Sequence, residues 1–587
     1  MKLKLISLKE LFESTKNTVY RFPLLTVFLL TGAANHLYID ICKTEPLEHY
    51  SRNLFMSIVL LLPVLYALQM LFESGWIKKR LKLILEAASA ALAGLYFYTL
   101  PDSSLTTLHF SRFFLLLIIS FLFSLICIKE HVSSDALFWH FHAILFSRLN
   151  LASLYTSVIL GGSAAALGAI DALFSTKLFG NQEIRIVIVT LWLFTPLFFL
   201  AGVPLLSNRS EITSYKPKWI KNIGLYVLLP LSSVYLLILY AYMGKISFLW
   251  RLPDGMVSYL VLSFAAFGIL SLIVIFPFQK DENYRWSYWF GRLFYFLQFP
   301  LLILLGIAIY RRVTEYGITF RRYYVVALAF WLLSITVFMI VRKNRNLIVI
   351  PLSLFLLAVL SASGPWSAFN LSFLNQKSRL MKILEDNALL QSGKLVKTGK
   401  DLPGEVKADI CSITKYLYDY GNLGKLAVLS NTGDSLTPQL FVAQMGFEWE
   451  ERWQWQNRNK DYFHYSLPEG PHEIRSDGFD ALVNMNIASF DTSDSKVLIK
   501  EIEIEYRRLS ESFLFLSSNG DSAVLQLKDV ISSFEKRSGK NNNTIGYFPF
   551  ENDHFAITGI FDNLSGNKDS GKITVNSVKV MFLIKRK

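Results

Sequence analysis

Four arginines flank one short loop, Arg311 and Arg312 before it and Arg321 and Arg322 after it, with Val313-Thr314-Glu315-Tyr316-Gly317-Ile318-Thr319-Phe320 between them. Guanidinium forks match the geometry of phosphate and carboxylate, so this spacing points to anion binding, with a lipid headgroup as a fitting occupant. Two further ionisable side chains, His36 and Asp171, fall inside apolar runs, both toward the same end of their segments. An ionisable group inside a membrane segment is a functional candidate, and equal depth would let these two pair. Glu86 lies one turn from the end of its run, where it can reach the interface.

Other chemistry is weaker. His140 and His142 stand at i, i+2, on nearly opposite sides of a helix, which does not suit a metal pair. Cys411 could act as a nucleophile with His464, His472 or His554 as base, but it sits on an apolar helix without a surrounding motif and reads as packing. The run Phe447-Glu448-Trp449-Glu450-Glu451-Arg452-Trp453-Gln454-Trp455 alternates at period two, which favours the buried face of a strand over a stacking platform for sugar or peptide. Asp477, Asp480, Asp491 and Asp494 lack the spacing of a calcium loop, and there is no phosphate-binding glycine loop, dinucleotide fingerprint or metalloprotease helix. Asp135 and Asp281 are the obvious carboxylates for a transferase acting at the interface, and each reads more simply as a helix N-cap. The expectation is a chain with no catalytic motif, no cofactor and no metal.

The elements that must position these groups are mostly apolar. Of 587 residues, 52% are apolar and 18% charged, with mean hydropathy +0.37, against roughly 45–50% and about 25% in soluble domains. Residues 1–366 carry a net charge of +15 and residues 367–587 a net −1. The basic surplus therefore belongs to a membrane half facing lipid headgroups, and nucleic acid is not the expected partner. Apolar runs predict eleven spans, near 22–41, 54–72, 81–100, 113–128, 151–174, 186–206, 222–243, 256–278, 288–310, 324–341 and 346–363. Residues 1–21 read as an amphipathic surface helix. Aromatic-rich segments 135–150 and 281–299 read as interface helices feeding the fifth and ninth spans. Small residues at Gly161/Ala165 and Gly162/Ala166 predict close helix packing.

Lys and Arg on alternate sides number 21 with the N-terminus and 11 opposite, which places the N-terminus in the cytoplasm. Eleven spans then put the C-terminal domain outside it, and the four arginines with it; a miscount by one would return both to the cytoplasm. Residues 22–366 form the predicted transmembrane domain, 367–402 a connector helix and linker, and 403–587 a soluble α+β domain. In that domain, strands are expected at 497–505, 513–518, 522–527, 555–561 and 573–584, helices at 375–390 and 405–420, and a hairpin turn at Asn519-Gly520. The fold class is thus an α-helical polytopic bundle followed by an α+β domain rich in antiparallel strands.

Arg21-Phe22-Pro23-Leu24, Phe138-Trp139 before Arg148-Leu149, Arg312-Val313 through Tyr316-Gly317-Ile318-Thr319 to Arg322-Tyr323, and Gly364-Pro365-Trp366-Ser367 resemble the domain-of-unknown-function 4153 family of bacterial multipass membrane proteins. The likeness runs through Arg379-Leu380, and the Tyr-Gly-Ile-Thr to Arg-Tyr stretch is its most specific part. It implies architecture and a bacterial inner membrane, and it brings no activity, ligand or catalytic residue. The leading functional expectation is a sensor, scaffold or accessory factor of the cell envelope. The alternatives are a transporter or lipid-handling protein with an anionic ligand at the Arg311–Arg322 loop, and a transferase on lipid-linked substrates. The implied partners are membrane lipids, an anionic headgroup or an envelope protein; the oligomeric state is left open.

Overall fold

The computed structural model describes residues 8–587 apart from 43–44, 129–134, 175–179, 216, 250–255, 342–345, 398–401, 430–435, 450–460, 467–477, 489–494, 500–501, 508–511, 518–521, 538–546 and 570–571. The chain divides into two compact units, one of residues 1–386 with 416–436 and one of 387–415 with 437–587.

The first unit is helical. After α1 (Leu8–Arg21) come α2 (Pro23–Cys42), α3 (Glu45–Glu73), α4 (Lys79–Thr99), α5 (Thr107–Ile126) and the 40-residue α6 (Asp135–Phe174). α7 (Asn181–Val189) and α8 (Thr195–Ala201) are joined through a π-helical turn, Thr190–Phe194. α9 (Arg209–Ser214) is short, and α10 (Lys218–Ile223) passes through a second π turn, Gly224–Leu228, into α11 (Leu229–Leu249). Then follow α12 (Met256–Ile275), α13 (Arg285–Tyr316), α14 (Phe320–Val341), α15 (Val349–Ala362) and α16 (Ala368–Asp386). Among the described residues ten helices are long and apolar enough to cross a membrane, and α15, with 14 residues, is the shorter eleventh. Each falls on one of the eleven expected runs. The aromatic segments at 135–150 and 281–299 are less separate than expected, because the first continues unbroken into α6 and most of the second into α13.

Contacts between helix ends set the direction of each pass. On one face, Arg21 forks onto Glu73 at 2.8 and 2.7 Å and donates to the Val203 and Pro204 carbonyls, tying the start of α2 to the ends of α3 and α8. Glu73 also accepts from Gln69, whose oxygen accepts from Lys82, and Lys82 pairs with Glu86 at 3.3 Å. Glu86 is thus the i+4 partner of a lysine at the start of α4. On the opposite face Arg185 meets Asp40 at 2.8 Å, Asn35 bonds Ser51 at 2.7 Å, and Arg52 reaches the Pro101 carbonyl at 2.8 Å. The Trp139 indole donates to the Ile273 carbonyl at 2.8 Å, so α12 ends beside the start of α6. Among the described residues, ten long apolar helices and the shorter α15 are thus available to cross a membrane.

Two apolar cores organise these passes. Leu29, Leu61, Leu65, Phe141 and Trp192 belong to one, and Phe264, Phe294, Leu301, Leu305, Leu332 and Ile335 to the other. The small-residue stripe of α6 packs against none of the described residues at its glycines: a Cβ added at Gly161, Gly162 or Gly168 would meet nothing within 4 Å.

The second unit holds the strands, together with most of α17 (Gly404–Asp419), whose Ile410, Cys411 and Ile413 are buried. β1 (Leu390–Gln391) and β2 (Lys394–Leu395) form a small hairpin. β3 (Asp461–Ser466) and β4 (Ala481–Ala488) precede a four-stranded antiparallel meander, β5 (Ser495–Ile499), β6 (Ile502–Arg507), β7 (Ser512–Ser517) and β8 (Ser522–Gln526). The expected strand 497–505 is thus two strands, β5 and β6, paired antiparallel. β9 (Tyr547–Glu551), β10 (Phe555–Asp569) and β11 (Lys572–Arg586) complete a five-stranded sheet of order β3-β10-β11-β4, with β9 beside the first half of β10. Helix Leu527–Arg537 packs Val530, Ile531 and Phe534 onto Phe561 and Phe582 of that sheet. Glu450 through Trp455 and the Asn519-Gly520 turn lie outside the described residues.

Candidate functional site

The α13–α14 loop is held by its own backbone. Gly317 caps α13 at φ +69°, ψ −178°, a region only glycine occupies readily, and a Cβ there would lie 2.6 Å from Asn375 Oδ1. Around it, α16 satisfies the polar backbone groups that a sharp turn exposes. Asn375 Oδ1 accepts from the Ile318 N–H at 2.7 Å; Gln376 donates to the Tyr316 and Ile318 carbonyls at 3.3 and 3.1 Å; Arg379 donates to Tyr316 O at 2.9 Å. The Tyr323 hydroxyl bonds the Trp366 carbonyl at 3.0 Å, and the Phe320 N–H donates to the Tyr416 hydroxyl at 3.0 Å.

Burial raises the Tyr416 phenol above its ordinary value, against the opposing pull of Ser372, the Phe320 N–H and Arg322; Tyr420 beside it adds to the rise. A raised pKa in the fold means that the neutral phenol stabilises fully below the unfolded value of about 10, and that this contribution is lost as pH climbs through the folded value. Tyr416→Phe is therefore expected to cost about 1 kcal/mol below pH ~10 and less above it. Thermal unfolding across that range checks this; a difference that does not change with pH would remove Tyr416 from the latch.

The four arginines divide by role. Arg322 donates to the Tyr316 and Gly317 carbonyls at 2.9 and 3.0 Å and lies over the Tyr316 ring, which makes it part of the latch. Arg311 pairs with Glu315 at 3.2 Å on an exposed helix surface, a contact of small energetic weight. Arg312 and Arg321 have no ion-pair partner among the described residues. Both line an open recess of about 150 Å³, together with Ser258, Tyr259, Thr319 and Arg322. Its remaining wall is aliphatic, from Ile309, Val313 and Val325. The first turns of α12 and α14 meet there, so two helix N-termini add partial positive charge to the guanidinium groups. Chemically the recess offers charge-assisted donors, hydroxyls and an apolar flank.

The contacts of His36 among the described residues are with its own helix and two aromatic rings, not with Asp171. His36 Nδ1 contacts its own helix at the Gly32 carbonyl, 3.1 Å away, and its ring packs against Phe55 and Trp192, each at 5.5 Å. Trp192 crosses α2 so closely that a Cβ on Gly32 would fall 2.3 Å from its ring. Asp171 is half-buried on the last turns of α6. An ion pair joins Asp40 to Arg185 at 2.8 Å, which sequence reasoning missed. His140 bonds the Tyr215 carbonyl at 2.8 Å and His142 the Phe138 carbonyl at 2.9 Å.

Ten long apolar helices, a shorter eleventh and a strand-rich C-terminal unit define a multipass membrane protein. Residues 54–395 match the domain-of-unknown-function family DUF4153, and the chain belongs to that family. An uncharacterized protein of Pasteurella multocida (strain Pm70) is 26% identical over 379 residues, covering 63% of this chain and 60% of the relative. No solved structure matches. The matched region begins within α3 and ends just past the loop's partners on α16, so it contains both sides of the latch.

Proposed function

We propose that this protein is an accessory factor of the bacterial cell envelope, embedded in the cytoplasmic membrane, which holds the anionic headgroup of a lipid at the α13–α14 recess. The observation that carries this reading is the pair Arg312 and Arg321, two cations without a carboxylate partner among the described residues, placed between two helix N-termini and beside an aliphatic wall. A phosphate-bearing amphiphile satisfies both halves of that surface: guanidinium forks and hydroxyls for the headgroup, Ile309, Val313 and Val325 for the start of the chain. With the N-terminus in the cytoplasm, as the basic residues favour, the recess faces outward.

Lipid retained through purification in mild detergent and weighed by native mass spectrometry tests the assignment. The wild-type protein is expected to carry anionic phospholipid, and Arg312→Ala/Arg321→Ala to lose it about tenfold or more, since a hydrogen bond to a charged group contributes about 1.5–3 kcal/mol. Equal retention by the two proteins would overturn the reading.

A further inference from the structure

The second helical core contains buried polar side-chain atoms without a hydrogen-bond partner among the described residues. Gln298, midway along α13, is fully buried, and neither its amide nitrogen nor its amide oxygen has a partner among the described residues. Thr336, on α14, is also fully buried, with its hydroxyl unpartnered among the described residues. The two helices form a hairpin turning at residues 317–319. Counting from that turn at 1.5 Å per residue, Gln298 lies about 27 Å and Thr336 about 24 Å along it, so they share a level. Pro300 sits inside α13 two residues beyond Gln298. It has no N–H for the Phe296 carbonyl, which lies on the exposed side of α13 and not on the buried side that carries Gln298. The buried apolar residues that α13 and α14 give to this core include Leu301, Leu302, Leu305, Leu332, Ile335 and Met339.

An amide left dry in such surroundings costs several kcal/mol, and in a bilayer no outside solvent can compensate. A water molecule making about three hydrogen bonds would remove that cost. We infer that the Gln298 amide and the Thr336 hydroxyl hold internal water in the core between α13 and α14, a hydrated site in the membrane interior separate from the anion recess. The ligand class is water itself. With no carboxylate on these two helices at that level, a bare cation has no counter-charge there.

The test uses the full-length protein in lipid bilayers, with glutamine labelled at the side-chain nitrogen and magnetisation transferred from water in solid-state NMR. The Gln298 signal is the one absent from Gln298→Leu. It is expected to receive transfer from water, and Thr336→Val is expected to weaken that transfer. A Gln298 signal without transfer from water would overturn the inference, whether the amide is dry or bonded directly to Thr336. Thermal unfolding adds a second readout: a Gln298→Leu protein melting several degrees higher than wild type would show that a dry, unsatisfied amide had been removed, and would also overturn it. If Gln298→Leu does not fold, Thr336→Val identifies the signal by its shift.

Discussion

Gly317→Ala is expected to lower the stability of the helical unit by at least about 2–3 kcal/mol and to release the α13–α14 loop from α16. The backbone conformation at Gly317 is essentially closed to residues with a side chain, which accounts for the first part of that cost. Steric conflict supplies the rest. The new methyl group would meet Asn375 Oδ1 at 2.6 Å and Gln376 Nε2 at 2.9 Å, the side chains that satisfy the loop's Ile318 N–H and its Tyr316 and Ile318 carbonyls. Moving either aside leaves a backbone group unbonded, at a further cost of about 1–3 kcal/mol if it stays buried. Thermal unfolding in detergent measures the loss. Because Arg322 bonds the Tyr316 and Gly317 carbonyls of the same turn, the variant should also weaken retention of anionic lipid. A Gly317→Ala protein as stable as wild type would mean that the loop is not held as described.

Glu73→Ala is expected to cost about 3 kcal/mol or more. Glu73 and Arg21 have side chains only 14% and 16% exposed, and removing one partner of a largely buried pair leaves the other charge desolvated. Arg21 would keep the Val203 and Pro204 carbonyls, but Gln69 would lose an acceptor and Lys82 the fixed amide beside it. The loss should couple with that of Lys82→Ala, since both belong to one network; a double-mutant cycle giving strict additivity would contradict that connection.

The passes through the bundle were legible because apolar run length is imposed by the bilayer and needs no tertiary information. What the sequence concealed is which charges are already occupied. Arg311, Arg312, Arg321 and Arg322 look equivalent, yet Arg322 bonds to carbonyls that only a turned backbone exposes, and Arg311 to the glutamate one helical turn on. The i,i+4 spacing of Arg311 and Glu315 was available as a signal. Asn375, Gln376 and Arg379 lie nearly sixty residues from the loop, and nothing local marks them except that they share one side of an amphipathic helix. Asp40 with Arg185 was hidden for the same reason, at a separation of 145 residues. Helix Leu527–Arg537 was missed because it follows a strand directly, without a glycine or proline to signal the change.

The most direct test of the account is occupancy of the recess, read through a thiol placed in its wall. Thr319→Cys, with Cys42, Cys127 and Cys411 replaced by serine, is reconstituted in phosphatidylcholine bilayers with and without phosphatidylglycerol, and the rate of labelling by an impermeant maleimide is measured. Labelling is expected only from the face opposite the N-terminus, slowed by the anionic lipid, with Arg312→Ala/Arg321→Ala abolishing the protection. A rate indifferent to the anionic lipid, or a thiol reached only from the N-terminal face, would contradict it.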